Sequence, residues 1–281
     1  MSASHGSGVA LEGGGVAGAG VHSAPLAGHD VLCVRAPNPG PLTLEGTNTW
    51  IVGREPAWVV DPGPMIEEHV QRVLAELQRR GGLGGVVLTH DHSDHGEALT
   101  GLLARYPAKL AAGGGEADVQ LADGMHVGPF EALATPGHAP DHFALIAQGA
   151  CFTGDAVLGS GSVFISPHPG AMSGYLEALG RLIARSDIEV LCPGHGPAVW
   201  DPAERLQQYV DHRLDRERRL LAALDEGRRT TAELLDTVWA EVPQELRPAA
   251  SATLAAHLDR LKEMGRLPDG VECPDFDRWQ W

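Results

Sequence analysis

No apolar run in the 281 residues reaches eighteen, the length at which a membrane-spanning helix becomes the expected reading. The first 26 residues hold Gly/Ala/Ser tracts such as GGGVAGAG but neither a basic start nor a continuous apolar core. They do not read as a secretory signal, so no membrane partner and a cytoplasmic location are expected. Such a stretch has too little apolar surface to order itself and is expected to be a disordered tail. Only four cysteines occur, with no CxxC pair. Cys151 and Cys192 lie in apolar runs and read as buried free thiols rather than a disulfide framework. Basic residues are scarce, 21 against 37 acidic ones, and the net charge of −16 disfavours non-specific nucleic-acid binding, which depends on neutralising phosphates. No internal repeat of useful length is present.

What is present is an alternation of strands and helices. VLCVRA (31–36), TNTWIVG (47–53), AWVVD (57–61) and GVVLT (85–89) have strand composition. Between the last two, residues 66–80 carry apolar residues at helical spacing: Ile66, Val70, Val73, Leu74 and Leu77. A helix over about 96–106 follows, then strands at KLAA, FEALAT (130–135), HFALIA (142–147) and ACFTGD (150–155). A helix over 175–185 and a strand at IEVLC (188–192) complete the pattern of a layered core of α/β or α+β type. From about residue 201 the composition changes to helices expected at 202–226, 231–242 and 247–267. The last two fit either a winged-helix-like module or a plain helical appendage. The expected organisation is a tail (1–26), a layered domain (27–200) that carries the chemistry described next, and a helical linker with a small helical domain (201–281).

The chemistry concentrates in Thr89-His90-Asp91-His92-Ser93-Asp94-His95, directly after an apolar strand. Four ligand-type side chains, His90, His92, Asp94 and His95, fall within six residues. Imidazole and carboxylate are donors that zinc and similar divalent ions accept, and such a cluster left unpaired would waste buried polarity. Three more segments end an apolar strand in a glycine followed by one candidate ligand: Pro136-Gly137-His138, Thr153-Gly154-Asp155 and Pro193-Gly194-His195. Seven donors of these types could hold divalent ions, with zinc the first expectation, and a water shared by a pair of such ions would have its pKa lowered towards neutrality, giving a bridging hydroxide as nucleophile. Asp94 is the candidate catalytic residue, placed to orient that hydroxide or relay its proton.

HxHxDH followed by GH, GD and GH in this order resembles the metallo-β-lactamase superfamily over about residues 30–200. The resemblance implies a four-layer αββα sandwich of the α+β class. It also implies that His90, His92 and His138 hold one metal, Asp94, His95 and His195 the other, and that Asp155 bridges them. By the same resemblance Asp61 would brace the HxHxDH loop, and Asp141 and His142 would approach the site. His168, in the loop SPHPG expected near the site, could touch substrate. Asp91 should point to solvent.

A drug-degrading β-lactamase is disfavoured, since such enzymes are exported and typically lack the bridging aspartate. A glyoxalase-type thioesterase shares the ligand set, but its basic glutathione-binding region is not evident. The segment Asn38-Pro39-Gly40-Pro41-Leu42-Thr43-Leu44-Glu45-Gly46-Thr47-Asn48-Thr49, PGHGP with the following helix, and the C-terminal helices resemble the beta-lactamase-like protein 2 family. That resemblance implies a zinc-dependent endoribonuclease cutting single-stranded RNA, with a winged-helix-like C-terminal domain. The acidic C-terminal third argues against simple transfer. Its densest basic run, Arg213, Arg216, Arg218 and Arg219, is interleaved with Asp215 and Glu217 and reads as a solvated helix face. A thioester or ester hydrolase of a small acyl substrate uses the same chemistry and is the alternative. A non-catalytic, metal-binding regulatory protein is the third reading.

Overall fold

A computed structural model of the chain describes residues 23–274. The expected tail lies outside the described residues as far as residue 22. Its end differs from expectation: Ser23–Pro25 form a strand, β1, paired antiparallel with β2 (Val31–Arg35). The composition argument concerned apolar burial, whereas a short edge strand forms on backbone hydrogen bonds.

The first sheet continues antiparallel through β3 (Asn48–Val52) and β4 (Ala57–Val60). It then runs parallel through β5 (Leu83–Val87), β6 (Lys109–Ala112) and β7 (Val119–Gln120). The second sheet is built from β8 (His126–Val127), β9 (Phe130–Ala134), β10 (Phe143–Ala147), β11 (Ala150–Gly154) and β12 (Val190–Pro193). Its spatial order is β12-β11-β10-β9-β8, with β11 and β12 parallel. Strands β7 and β8, of two residues each, are too short to leave a periodic trace in the sequence.

Alternate residues of one strand reach opposite faces, and here both faces are covered. In β10, Phe143, Leu145 and Ala147 enter the layer between the sheets, while Ala144 and Ile146 face outward. Trp50, Val60 and Val87 meet Phe130 and Phe152 in that central layer. On the outer face of the first sheet, helix α1 (Glu67–Arg79) packs Val70, Val73 and Leu77 against Ile51, Val59 and Val86. On the outer face of the second, helix α4 (Ala171–Ile183) packs Met172, Tyr175 and Leu179 against Ile146, Cys151 and Leu191. The layers are thus helix, sheet, sheet, helix. Double coverage explains why the strands read as continuous apolar runs. All four cysteines are free, and burial pushes the Cys151 thiol up to about 12, so it is inert.

Of the boundaries that depart from the sequence pattern, three have a cause visible in the structure, and two of these serve the site. The strand expected over 85–89 ends at Val87, because Thr89 turns away to bond Asp61. The helix expected over 96–106 is split into α2 (Ser93–Gly96) and α3 (Leu99–Arg105), because the Ala98 amide donates to Gly63 O rather than to the preceding turn. Helix α4 starts at Ala171, after Gly170 in a left-handed conformation, and so includes the buried Ala171 and Met172.

The C-terminal helices α5 (Pro202–Asp225), α6 (Thr231–Val238) and α7 (Arg247–Glu263) share a separate core of Leu220, Leu224, Leu234, Val238, Leu254 and Leu258. They are not detached from the sandwich. Tyr209 Oη accepts the Leu158 amide at 2.9 Å, Thr253 Oγ1 that of Ile165 at 3.1 Å, and Asp259 Oδ2 that of Gly170 at 2.8 Å. Among the described residues no helix is long and apolar enough to cross a membrane.

Candidate metal centre

Each ligand-type residue follows the C-terminal end of a strand: His90 and His92 after β5, His138 after β9, Asp155 after β11, His195 after β12. Asp94 and His95 lie in α2, one turn of helix that begins right after His92. These ends meet at one edge of the sandwich. His90, His92 and His138 place one ligand atom each within 4.8 Å of one another, and so do Asp94, His95 and His195. A third group, His90, His95 and Asp155, lies between them. Asp155 reaches into both triads: its Oδ2 is 3.3 Å from His195 Nε2 and 3.7 Å from His138 Nε2, and its Oδ1 is 3.6 Å from His95 Nε2.

The hydrogen bonds behind the ligands decide which nitrogen faces inward. Asp61, buried and with positive φ, accepts the Thr89 amide on Oδ1 at 2.8 Å and the Thr89 hydroxyl on Oδ2 at 2.8 Å. With its proton committed to Asp61, Thr89 Oγ1 can only accept from His90 Nδ1, at 3.0 Å. Asp61 Oδ2 also accepts from His95 Nδ1 at 2.9 Å. Both rings therefore turn Nε2 to the interior, and His138 does the same by donating Nδ1–H to Phe164 O at 3.2 Å. His90 Nε2, His95 Nε2 and Asp155 Oδ1 are buried without a hydrogen-bond partner. An unsatisfied buried polar atom costs about 1–3 kcal/mol, and three of them converging on one point fit a bound cation. The side chains present therefore suit a pair of divalent ions.

Charge points the same way. Burial pushes His138 down to about 3 and, with the neighbouring imidazoles, holds His90 well below the histidine range. Burial opposes a proton on His95, but Asp155, Asp61 and Asp94 outweigh it and raise this histidine to about 10. Burial would also raise the Asp155 carboxyl, yet His195, His95 and His138 hold it below the usual range. An ionised Asp155 is thus buried in a site that calls for positive charge.

The sequence singled out the seven donors and, by resemblance, Asp61, Asp141 and His142 beside them, but not Thr47, Asn38 or Asn48 as groups that hold them. Thr47 donates Oγ1–H to Asp94 Oδ2 at 3.0 Å, and Asn38 fixes Thr47 by bonds to its hydroxyl and its amide, both 2.9 Å. Asn48 Nδ2 donates to Pro193 O at 3.0 Å and to Gly196 O at 2.8 Å, pinning the turn that carries His195. The segment 38–49 was legible as a signature, but its partners lie far off in sequence. His142 accepts the Asp155 amide on Nε2 at 3.1 Å while its Nδ1 bonds Thr135 Oγ1 at 2.7 Å. Asp141 Oδ2 accepts the Asp91 amide at 3.1 Å and steadies the histidine loop, while Asp91 itself is exposed. His168 does not line the cavity beside the site; it lies near Asp259 of α7, so a contact with substrate is not supported.

Gly194 has a structural reason to be glycine. A Cβ there would collide with Asp155 Oδ1 and lie 2.6 Å from His95 Cε1. Gly194→Ala is expected to cut bound metal by more than half, read by elemental analysis, while the far-UV circular dichroism stays native. Full metal content in the variant would show that the site yields to a methyl group.

A cavity of about 260 Å³ opens on His138 and Asp155. One wall is the sandwich, with Leu158, Val163 and Phe164; the other is the C-terminal unit, with Trp239, Val242 and Leu246.

Comparison with known proteins agrees with this geometry. Residues 112–195, which carry His138, Asp155 and His195, match the family model described as Metallo-beta-lactamase superfamily. Residues 230–279 match that described as Beta-lactamase associated winged helix domain. The chain is 31% identical to Beta-lactamase-like protein 2 homolog of Caenorhabditis elegans over 266 residues, 87% of this chain and 86% of that protein. It is 32% identical to Atrochrysone carboxyl ACP thioesterase of Aspergillus chevalieri over 243 residues, 78% of this chain and 76% of that protein. Among solved structures, a Beta-lactamase domain protein from Burkholderia ambifaria superposes with a TM-score of 0.74 at 21% identity, covering 86% of this chain and 90% of that one.

Proposed function

Because the chain belongs to the metallo-beta-lactamase superfamily and carries that superfamily's associated winged helix, we propose that it is a dinuclear metal hydrolase of thioesters or esters with a largely apolar acyl group. His90, His92 and His138 would hold one ion, Asp94, His95 and His195 the other, and Asp155 would touch both; zinc is the expected metal for this donor set. When bound, such ions supply an activated water and a Lewis acid for the reacting oxygen.

The protein's own groups do the rest. Asp61 and Thr89 keep His90 and His95 in the tautomer that faces the reacting centre. Asp94, held by Thr47, is the more exposed of the two site carboxylates, its side chain 29% exposed against 9% for Asp155. It is therefore the group placed to take a proton from the attacking water. In the net reaction the water oxygen bonds to the acyl carbon and the carbon–sulfur bond breaks. The thiol leaves with one proton of the water, and the other is released as the acid ionises.

The observation that carries the acyl reading is the apolar cavity contiguous with the site. The ribonuclease reading needs a surface that neutralises phosphates or stacks bases. The exposed Arg218 and Arg219 both pair with Asp215 instead, on a chain of net charge −16. The test gives metal-loaded protein the pentanoyl thioester of a chromogenic thiol and, in parallel, a labelled single-stranded RNA. Thioester hydrolysis with intact RNA is expected. RNA cleavage without thioester hydrolysis would replace this reading with the ribonuclease one, and no turnover of either would favour a non-catalytic metal protein.

A further inference from the structure

The basic run of α5 is not the solvated face that its sequence suggested. Arg218 and Arg219 are exposed, but Arg213 and Arg216 are buried, at 2% and 7% relative exposure. The helical phase accounts for it. Leu206, Tyr209, Arg213, Arg216, Leu220 and Ala223 recur at spacings of three and four and form the buried stripe of this helix. Two guanidinium groups thus sit within an otherwise mostly apolar stripe, and both residues line the cavity.

The two differ in how they are satisfied. Arg216 pairs with Glu241 and donates to Val238 O. Arg213 makes no ion pair among the described residues. Its Nη2 donates to Val163 O, the face of Tyr175 lies 5.5 Å from its guanidinium carbon, and its Nε is buried without any partner. His212, next in sequence and also in the cavity wall, is held uncharged: burial, with Arg213 and Arg216, pushes it down to about 4. An unpaired buried cation is among the most costly groups a fold can carry, and packing alone would be served by a neutral side chain at this position. Its side chain lines a cavity that also opens on His138 and Asp155 of the metal centre. Val163 O, which takes the Arg213 bond, and Phe164 O, which takes the His138 bond, belong to successive residues. With consecutive Cα atoms 3.8 Å apart, the guanidinium and the His138 ring are on the order of 10 Å from each other.

We propose that Arg213 is an anion-binding residue of the substrate pocket, and that the acyl group cleaved here is short, apolar in its middle and terminated by a carboxylate. The inference rests on the acyl-hydrolase reading. Carboxylate and guanidinium match in charge and in planar geometry. The Leu158, Phe164, Trp239 and Val242 side chains would enclose the methylene segment between the carboxylate and the reacting carbonyl.

Two measurements test it, one of them free of turnover. The first compares glutaryl and pentanoyl thioesters of the same chromogenic thiol. Wild type should favour the glutaryl thioester in kcat/KM by about tenfold or more, as one charge-assisted contact implies. In Arg213→Met the ratio of the two kcat/KM values should fall to near one, and Arg213→Lys should keep part of the preference. The second compares calorimetric affinities of metal-loaded protein for glutarate and pentanoate. Both offer one carboxylate to the metal centre, so their ratio reports the second. That ratio should be about ten in wild type and near one in Arg213→Met. A ratio near one in wild type, or equal losses on both thioesters in a metal-replete Arg213→Met, would overturn the assignment. If neither thioester is cleaved but the affinity ratio collapses as stated, the hydrolase reading fails and the anion site stands. If both are cleaved equally well by wild type, the anion site fails and the hydrolase stands.

Discussion

Asp155→Ala is expected to deplete both metal positions together and to lower hydrolysis by far more than the 10–100-fold that loss of an outer hydrogen-bond partner costs. The reason is geometric. Its two carboxylate oxygens lie 3.3–3.7 Å from His195, His95 and His138, which belong to different triads. No other site side chain makes such approaches to both His138 and His195. Removing it also takes away a carboxylate that His195, His95 and His138 hold ionised against the pull of burial. His195→Ala is the contrast: it touches one triad and should release one ion, leaving the other in place. Elemental analysis after dialysis checks both. An Asp155→Ala protein that keeps two ions per chain would show that this carboxylate does not join the sites.

Asp61→Ala is expected to act on the fold before it acts on the chemistry. Asp61 touches no reacting group, yet three donors end on it: the Thr89 amide, the Thr89 hydroxyl and His95 Nδ1. Residues this deep cannot turn to water, with Asp61 at 1% exposure and Thr89 and His95 at 0%. Leaving buried donors without an acceptor costs about 1–3 kcal/mol for each group, so a loss of at least about 3 kcal/mol is expected in urea unfolding of the metal-free chain. Asp61→Asn should not rescue it, because its amide nitrogen would face donors where the second oxygen accepted. Metal-free Asp61→Ala unfolding at the wild-type midpoint would refute the argument.

How far the sequence carried depended on the range of each interaction. HxHxDH was legible because four donors fall within six residues, and the GH, GD and GH turns because each follows an apolar strand. The doubly covered strands showed themselves by having no alternation to break. Thr47 and Asn38 showed no chemistry, since Asp94, the group they orient, is 47 residues from Thr47. The split between α2 and α3 was hidden for a similar reason: Gly63 O, from another loop, captures the Ala98 amide. Arg213 is a different case. Its place on the buried stripe of α5 was present in the spacing, but charge outweighed phase in the reading of that segment.

The cavity between the sandwich and the C-terminal helices divides the protein's labour by position along the chain. The converging donors all come from residues 90–195, whereas Trp239, Val242 and Leu246 of the opposite wall come from an element with a core of its own. Natural variation can therefore reshape that wall one side chain at a time without disturbing a ligand, and a single inherited reaction can be passed among substrates by drift in the C-terminal unit alone.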